Sequence, residues 1–269
     1  MLSRYFLAAF GLALSFTASA AIPAKQPDKA GAPAAAKLTA AQIVDRNVVA
    51  RGGLAAWRAV HTLVLSGQME AGGTKNESLP FVLEMKRPHK SRLEIRFEGK
   101  TALQVYDGEQ GWKVRPFLGR DDAEPFTPEE TKLAADWGEL DGPLVDYAAK
   151  GTTVALEGME DVEKHPAYRI KLTMKDGAVR HVWIDASTFL ERKIEGDQHR
   201  LDGKMRNVAI YYRDYKAEHG LMVPHVLETV IEGGRMPHTM TIDRVTVNAS
   251  LDNALFGKPQ LQVAAASTK

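Results

Sequence analysis

The chain has 269 residues, 44% of them hydrophobic, with 35 Lys and Arg against 34 Asp and Glu and no cysteine. This composition excludes a disulfide framework, a thiolate metal site and a lipobox thiol for acylation after export. The balanced charge argues against a nucleic-acid partner or a polybasic membrane anchor, and the length is enough for one sizeable core.

Residues 1–20 read as a secretory signal peptide. Arg4 supplies a short basic start, residues 5–16 are an apolar stretch short for a bilayer span, and Ala18-Ser19-Ala20 is a small-x-small cleavage site. The mature chain is predicted to begin near Ala21 and to be periplasmic. Without Arg4 the counts become 34 basic against 34 acidic. Residues 21–37, rich in Ala, Pro, Lys and Gly, read as a flexible leader, and 257–269 as a similar tail. The stretch between, 38–256, is predicted to be a single domain.

Thr39-Ala40-Ala41-Gln42 is a capping box, and Ile43, Val44, Asn47, Val48 and Arg51 carry a helical period up to Gly52-Gly53, which stops it. Residues 54–60 make a second helical turn. Strands follow over 62–69, 81–86 and 92–97; in the last, Leu93, Ile95 and Phe97 share one face while Arg92, Glu94 and Arg96 share the other. Residues 101–106 and 110–114 form a hairpin around Asp107-Gly108.

The pattern then turns helical over 127–151. Thr127-Pro128-Glu129-Glu130 is a helix start, and Leu133, Trp137 and Leu140 form one apolar stripe. Asp141-Gly142-Pro143 breaks the chain, and 144–151 reads as a second short turn of helix. The insert must bury its stripe, and the sheet is the nearest apolar surface, so 127–151 is predicted to act as a lid. Beyond it come strands over 153–159, 167–174, 179–185, 190–194, 205–215, 223–232 and 238–247. Tyr168, Ile170, Leu172 and Met174 lie on one face of the second of these. The total is about ten to twelve antiparallel strands, in a sheet that curls into a half-open barrel with a concave apolar interior.

The order of Arg51-Gly52-Gly53-Leu54, Tyr106-Asp107-Gly108-Glu109-Gln110-Gly111-Trp112, Asp141-Gly142-Pro143-Leu144-Val145-Asp146-Tyr147, Tyr168-Arg169-Ile170 and Val182-Trp183-Ile184-Asp185 resembles the LolA-like proteins, periplasmic proteins described as outer-membrane lipoprotein-sorting proteins. The resemblance covers about 40–256. It implies a mainly β (α+β) fold, an incomplete, strongly curved antiparallel β-barrel covered by N-terminal and inserted helices. It also implies an apolar cavity for acyl chains of lipoproteins or other lipids, and an arginine that latches the lid, for which Arg92, Arg96, Arg115 and Arg169 are the candidates.

Little here suggests catalysis. Asp121-Asp122 suits a solvated loop and Glu129-Glu130 a helix start; Ser66 and Ser187 lie in no nucleophile elbow, and the eight histidines form no metal-binding pair. No enzyme and no cofactor is expected. The expected ligand-binding residues of cavity and lid are Phe81, Leu83, Leu93, Ile95, Phe97, Trp112, Leu133, Trp137, Leu140, Tyr147, Tyr168, Ile170, Leu172 and Trp183. The same residues also read as ordinary core packing the lid onto the sheet. The expected function is a periplasmic carrier of acyl chains, with inner- or outer-membrane donor and acceptor proteins as further partners. The alternative is a sensory or binding module of the same fold that recognises a lipoprotein or envelope protein without transporting it.

Overall fold

The computed structural model describes residues 38–70, 78–196, 199–201, 204–234 and 237–260, without the side chains of 136, 137, 199–201 and 204. The predicted signal peptide and leader, and residues 261–269 of the tail, lie outside the described residues.

Two helices open the described chain. Helix α1 (Ala40–Ala50) starts on the predicted capping box, in which the Gln42 amide donates to the Thr39 hydroxyl at 3.2 Å and the Thr39 amide to Gln42 Oε1 at 2.9 Å. It buries Ile43, Val44, Asn47 and Val48. Gly52 stops it with φ at 113°, and a Cβ there would lie 2.4 Å from the Gly220 carbonyl, so both conformation and space demand glycine. Helix α2 (Leu54–Arg58) buries Trp57, whose indole donates to the Arg51 carbonyl at 3.1 Å.

The strands are β1 (Thr62–Glu70), β2 (Ser78–Lys86), β3 (Lys90–Phe97), β4 (Lys100–Tyr106), β5 (Gly111–Arg115) and β6 (Arg120–Pro125), then, after helix α3 (Pro128–Trp137), β7 (Thr153–Val162), β8 (His165–Thr173), β9 (Val179–Asp185), β10 (Glu191–Glu195), β11 (His199–Leu201), β12 (Lys204–Arg206), β13 (Val208–Glu218), β14 (Leu221–Ile231) and β15 (His238–Val247). Thirteen form one antiparallel sheet in the order β6-β5-β4-β3-β2-β1-β15-β14-β13-β10-β9-β8-β7, and β11 and β12 pair separately. The sheet is open, with β6 and β7 at its edges. Strands β6, β11 and β12 exceed the expected ten to twelve. The β6 sequence RDDAEP has no apolar alternation, and its pairing to β5 alone makes it a strand.

One cluster shows how far the sheet curls. Ile95 on β3 and Leu172 on β8 belong to the same buried core, although seven strands stand between them in the sheet. Leu63 and Leu65 on β1, Phe81 on β2, Leu221 and Val223 on β14 and Ile242 on β15 join it, together with Ile43 and Val44 of α1. The concave face therefore wraps around α1 and the inserted segment. The convex face is covered in part by a 3-10 turn (Asn253–Phe256) that packs on β3 and buries Phe256 completely. Among the described residues no helix is long and apolar enough to cross a membrane.

The insert is only half helical. Helix α3 starts on the predicted capping box of Thr127 and Glu130, but residues 138–151 are a chain of turns where a second short turn of helix was expected. Gly142 at φ 74° and Asp146 at φ 54° both take left-handed backbone, and a helix cannot run through either.

Candidate functional site

Residues 138–151 close the concave side of the barrel. Leu140, Leu144 and Val145 all enter the core cluster, the last two with no exposed surface, and Tyr147 packs against it. Burying a side chain of this size is worth about 1.5–3 kcal/mol each. Their seat is the concave sheet, where Ile170, Leu172, Val182 and Ile184 present their side chains. Helix α3 lies further toward the β6 edge, where Glu130 forms an ion pair with Lys113 of β5.

A polar network ties this plug down, centred on Asp141. Its carboxylate accepts from Arg87 at 2.6 Å and from Lys150 at 2.8 Å, and only 4% of its side chain is exposed. Burial pushes the carboxyl up, but the hydrogen bonds from Lys150 and Arg87 outweigh burial and hold it below the usual aspartate range. Arg87 also donates to the carbonyls of Val60 and Trp57, so the Asp141 anchor is itself anchored. The Asp141 carbonyl accepts from Arg51 Nη1 at 3.0 Å, and the same nitrogen lies 3.2 Å from Glu191 on β10. Arg58 forks onto Asp146 at 2.6 and 2.9 Å. The cover thus combines an apolar plug with a hydrogen bond from the C-cap of α1 and ion pairs to α2 and to Arg87 just after β2.

Among the described residues, two spaces border it. A cavity of about 80 Å³ lies under Gly142, Pro143 and Leu144, with Arg51, Glu191, Tyr212 and Tyr215 among its walls. A dry engineered cavity that takes benzene is about 150 Å³, so an acyl chain does not fit unless the cover moves. A second, more polar space of about 280 Å³ lies at the margin of the cover, between Arg87, Pro88 and His89 and residues 138–141.

No family model matches the sequence, and no curated protein matches it by sequence. Solved structures do match in shape. A putative outer membrane lipoprotein-sorting protein domain from Vibrio parahaemolyticus superposes with TM-score 0.54 at 11% identity, over 81% of this chain and 95% of that one. A LolA superfamily protein from Nitrosomonas europaea gives TM-score 0.51 at 13% identity, over 82% and 99%. The fold is LolA-like. A DUF1329 family protein from Desulfovibrio piger shares it, with TM-score 0.52 at 12% identity over 80% and 95%.

On this LolA-like frame the expected site residues divide. Phe81, Ile95, Ile170 and Leu172 of the sheet meet Leu140 of the cover in one core, with Leu83, Leu93, Phe97, Tyr147 and Tyr168 packed around them. Leu133 is half-buried on α3, outside that cluster, and the Trp137 side chain lies outside the described residues.

Two of the expected residues stand on the wrong face. Trp112 is opposite Val105, which is opposite Arg92 and then Glu84, so all four point away from Leu83 and Leu93. Trp183 lies between Val182 and Ile184, both in the core, and therefore projects outward. There it packs with Val162, Ala167 and Tyr211, under the Lys193 ammonium at 4.3 Å, and its indole donates to Glu160 at 2.9 Å. Neither tryptophan lines the interior.

The four candidate latch arginines pair within the sheet. Arg92 and Arg96 pair with Glu84 and Glu94, Arg115 with Glu124, and Arg169 with Glu157 and Glu160. The arginines that hold the cover of this LolA-like fold are Arg51, Arg58 and Arg87. Leu144 and Val145 were within reach of sequence reasoning, as an apolar pair directly after the Asp-Gly-Pro break. Nothing local to Glu191 marks it as Arg51's partner.

Proposed function

We propose that the protein is a periplasmic carrier that holds acyl chains of lipoproteins or other lipids in the interior of its open barrel, for transport toward or sorting to the outer membrane. The observation that carries this reading is the plug itself: Leu140, Leu144 and Val145 fill a concave apolar face, yet the segment bearing them is a run of turns with no strand pairing to hold it. Moving residues 138–151 outward would vacate the volume of those side chains and leave an apolar trough along β8 and β9. Binding to such a trough is non-directional and scales with buried area, at about 25 cal/mol per Å², so volume matters more than particular residues. The mechanism is binding and release by movement of the cover, with no covalent step. The likeness to a lipoprotein-sorting domain supports the reading at the level of fold.

The filled interior favours a second reading. A module of the same fold that recognises a lipoprotein or envelope protein, and carries nothing, would need no cavity. Native mass spectrometry of protein recovered gently from the periplasm separates the two. The carrier is expected to retain lipid or acylated peptide; repeated recovery of an empty chain that ignores added lipid, with one stoichiometric protein partner, would establish the module instead.

A further inference from the structure

We infer that the small cavity beneath residues 142–144 is a subsite for the neutral carbonyl, ester or amide, that links an acyl chain to its head, an assignment that rests on the carrier reading above. Arg51 and Glu191 are both about nine-tenths buried there, at 9% and 8% exposure. The Arg51 guanidinium sits 4.5 Å over the Trp57 ring, and its Nη1 reaches both Glu191 at 3.2 Å and the Asp141 carbonyl at 3.0 Å. Tyr215 donates its hydroxyl to the Glu191 carbonyl at 2.9 Å. Tyr212 lines the same cavity, and among the described residues its hydroxyl has no hydrogen-bond partner. Burial, reinforced by Glu191, pushes that phenol up, so it keeps its proton and remains a donor. Much of the remaining wall is apolar, with Leu144, Val182 and Ile194.

Movement of the cover changes the balance in this cavity. When residues 138–151 leave, the Asp141 carbonyl leaves with them, and a buried Arg51 N–H loses its acceptor. An orphaned buried donor is costly, and a hydrocarbon chain offers nothing to replace the lost oxygen. A carbonyl on the incoming ligand does replace it, with Tyr212 as a second donor. A free carboxylate is disfavoured, because Glu191 already neutralises the guanidinium and would face the new charge across a few ångströms of low dielectric. The subsite therefore selects acyl chains that are esterified or amidated over free fatty acids and over plain hydrocarbon.

The test uses displacement of the probe N-phenyl-1-naphthylamine from the whole mature chain by four ten-carbon ligands: monodecanoylglycerol, N-methyldecanamide, decanoate and decane. The ester, the amide or both are expected to displace at about tenfold lower concentration than decanoate and decane, the size of one buried hydrogen bond. Which of the two is preferred identifies the linkage. Tyr212→Phe, which removes one oxygen and little volume, is expected to lower that ratio by about threefold, leaving the share that Arg51 contributes. A wild-type ratio below threefold, or a Tyr212→Phe variant that weakens all four ligands alike, overturns the subsite and leaves the carrier reading standing. Failure of all four ligands to displace the probe from folded protein overturns both.

Discussion

Arg51 Nη1 donates a 3.0 Å hydrogen bond to the backbone carbonyl of Asp141, 90 residues further along the chain. The end of the first helix thereby holds the first part of the segment that covers the interior. The Asp141 side chain is held by Arg87 and Lys150, so one residue is pinned through both its backbone and its side chain.

Removing that side chain should loosen the cover before anything else. Asp141→Ala is expected to cost about 3 kcal/mol in urea unfolding, the usual loss when one partner of a buried ion pair is deleted. Hydrogen exchange over residues 138–151 should accelerate more than over β8 and β9. Uniform acceleration across the chain would show that Asp141 supports the fold as a whole and not the cover.

Acid should act through the same group. The folded carboxyl is held below its ordinary value of 3.8. Its contribution to stability is therefore complete above that value and is lost as pH falls below it toward the depressed folded value. Exchange protection of 138–151 should be constant from about pH 8 to about pH 5 and fall below about pH 4. Asp141→Asn should reduce this fall in the cover, leaving the part due to Asp146, whose carboxyl the hydrogen bond from Arg58 also holds below its ordinary value. It should leave the acid sensitivity of the turn after β9, where Asp185 is likewise held low; burial opposes that shift, and the hydrogen bonds from Ser187, Thr188 and Arg192 outweigh it.

Leu144 has no exposed surface and borders the small cavity. Leu144→Ala should destabilise by about 2–5 kcal/mol and enlarge the space toward one that holds a benzene-sized guest. Titration with benzene, followed by thermal stability, should raise the melting temperature of the variant and not that of the wild type. No rise in either would mean that the site collapses when the side chain is removed, and an equal rise in both would mean that benzene binds elsewhere.

Trp183 offers the contrasting case on the convex face. Trp183→Ala loses the Lys193 stacking and the bond to Glu160, and should cost about 3 kcal/mol as a large-to-small change at a buried site. Affinity for an apolar fluorescent probe, measured where both proteins are folded, should be unchanged. A matching loss of affinity would place Trp183 in the path of the ligand after all.

Much of the frame was legible in the residues because its causes are local. The Thr39 and Thr127 capping boxes form between residues three apart, and the alternation of Tyr168, Ile170 and Leu172 follows from the pleat of a single strand. The outward turn of Trp183 was legible too: in Val182-Trp183-Ile184 the middle residue must oppose its neighbours. Trp112 was different. Its face follows from the register of β5 on β4 and of β4 on β3, and pairing of that kind is a choice among distant partners. Strand β6 escaped because charged residues and a proline at an edge look like loop until the neighbouring strand is present.

By itself the sequence determined the strand and helix periods, the places where they stop, and the fact that a covering segment interrupts the sheet, since hydrogen bonds and steric limits act over a few residues. Only the tertiary structure decided that Arg51, Arg58 and Arg87 hold that cover, because the contacts Arg51 makes span 90 and 140 residues. It also decided that Leu140, Leu144 and Val145 fill the closed interior. Whether a space is empty depends on the summed volumes of side chains from many strands, and no local pattern in the chain records that sum.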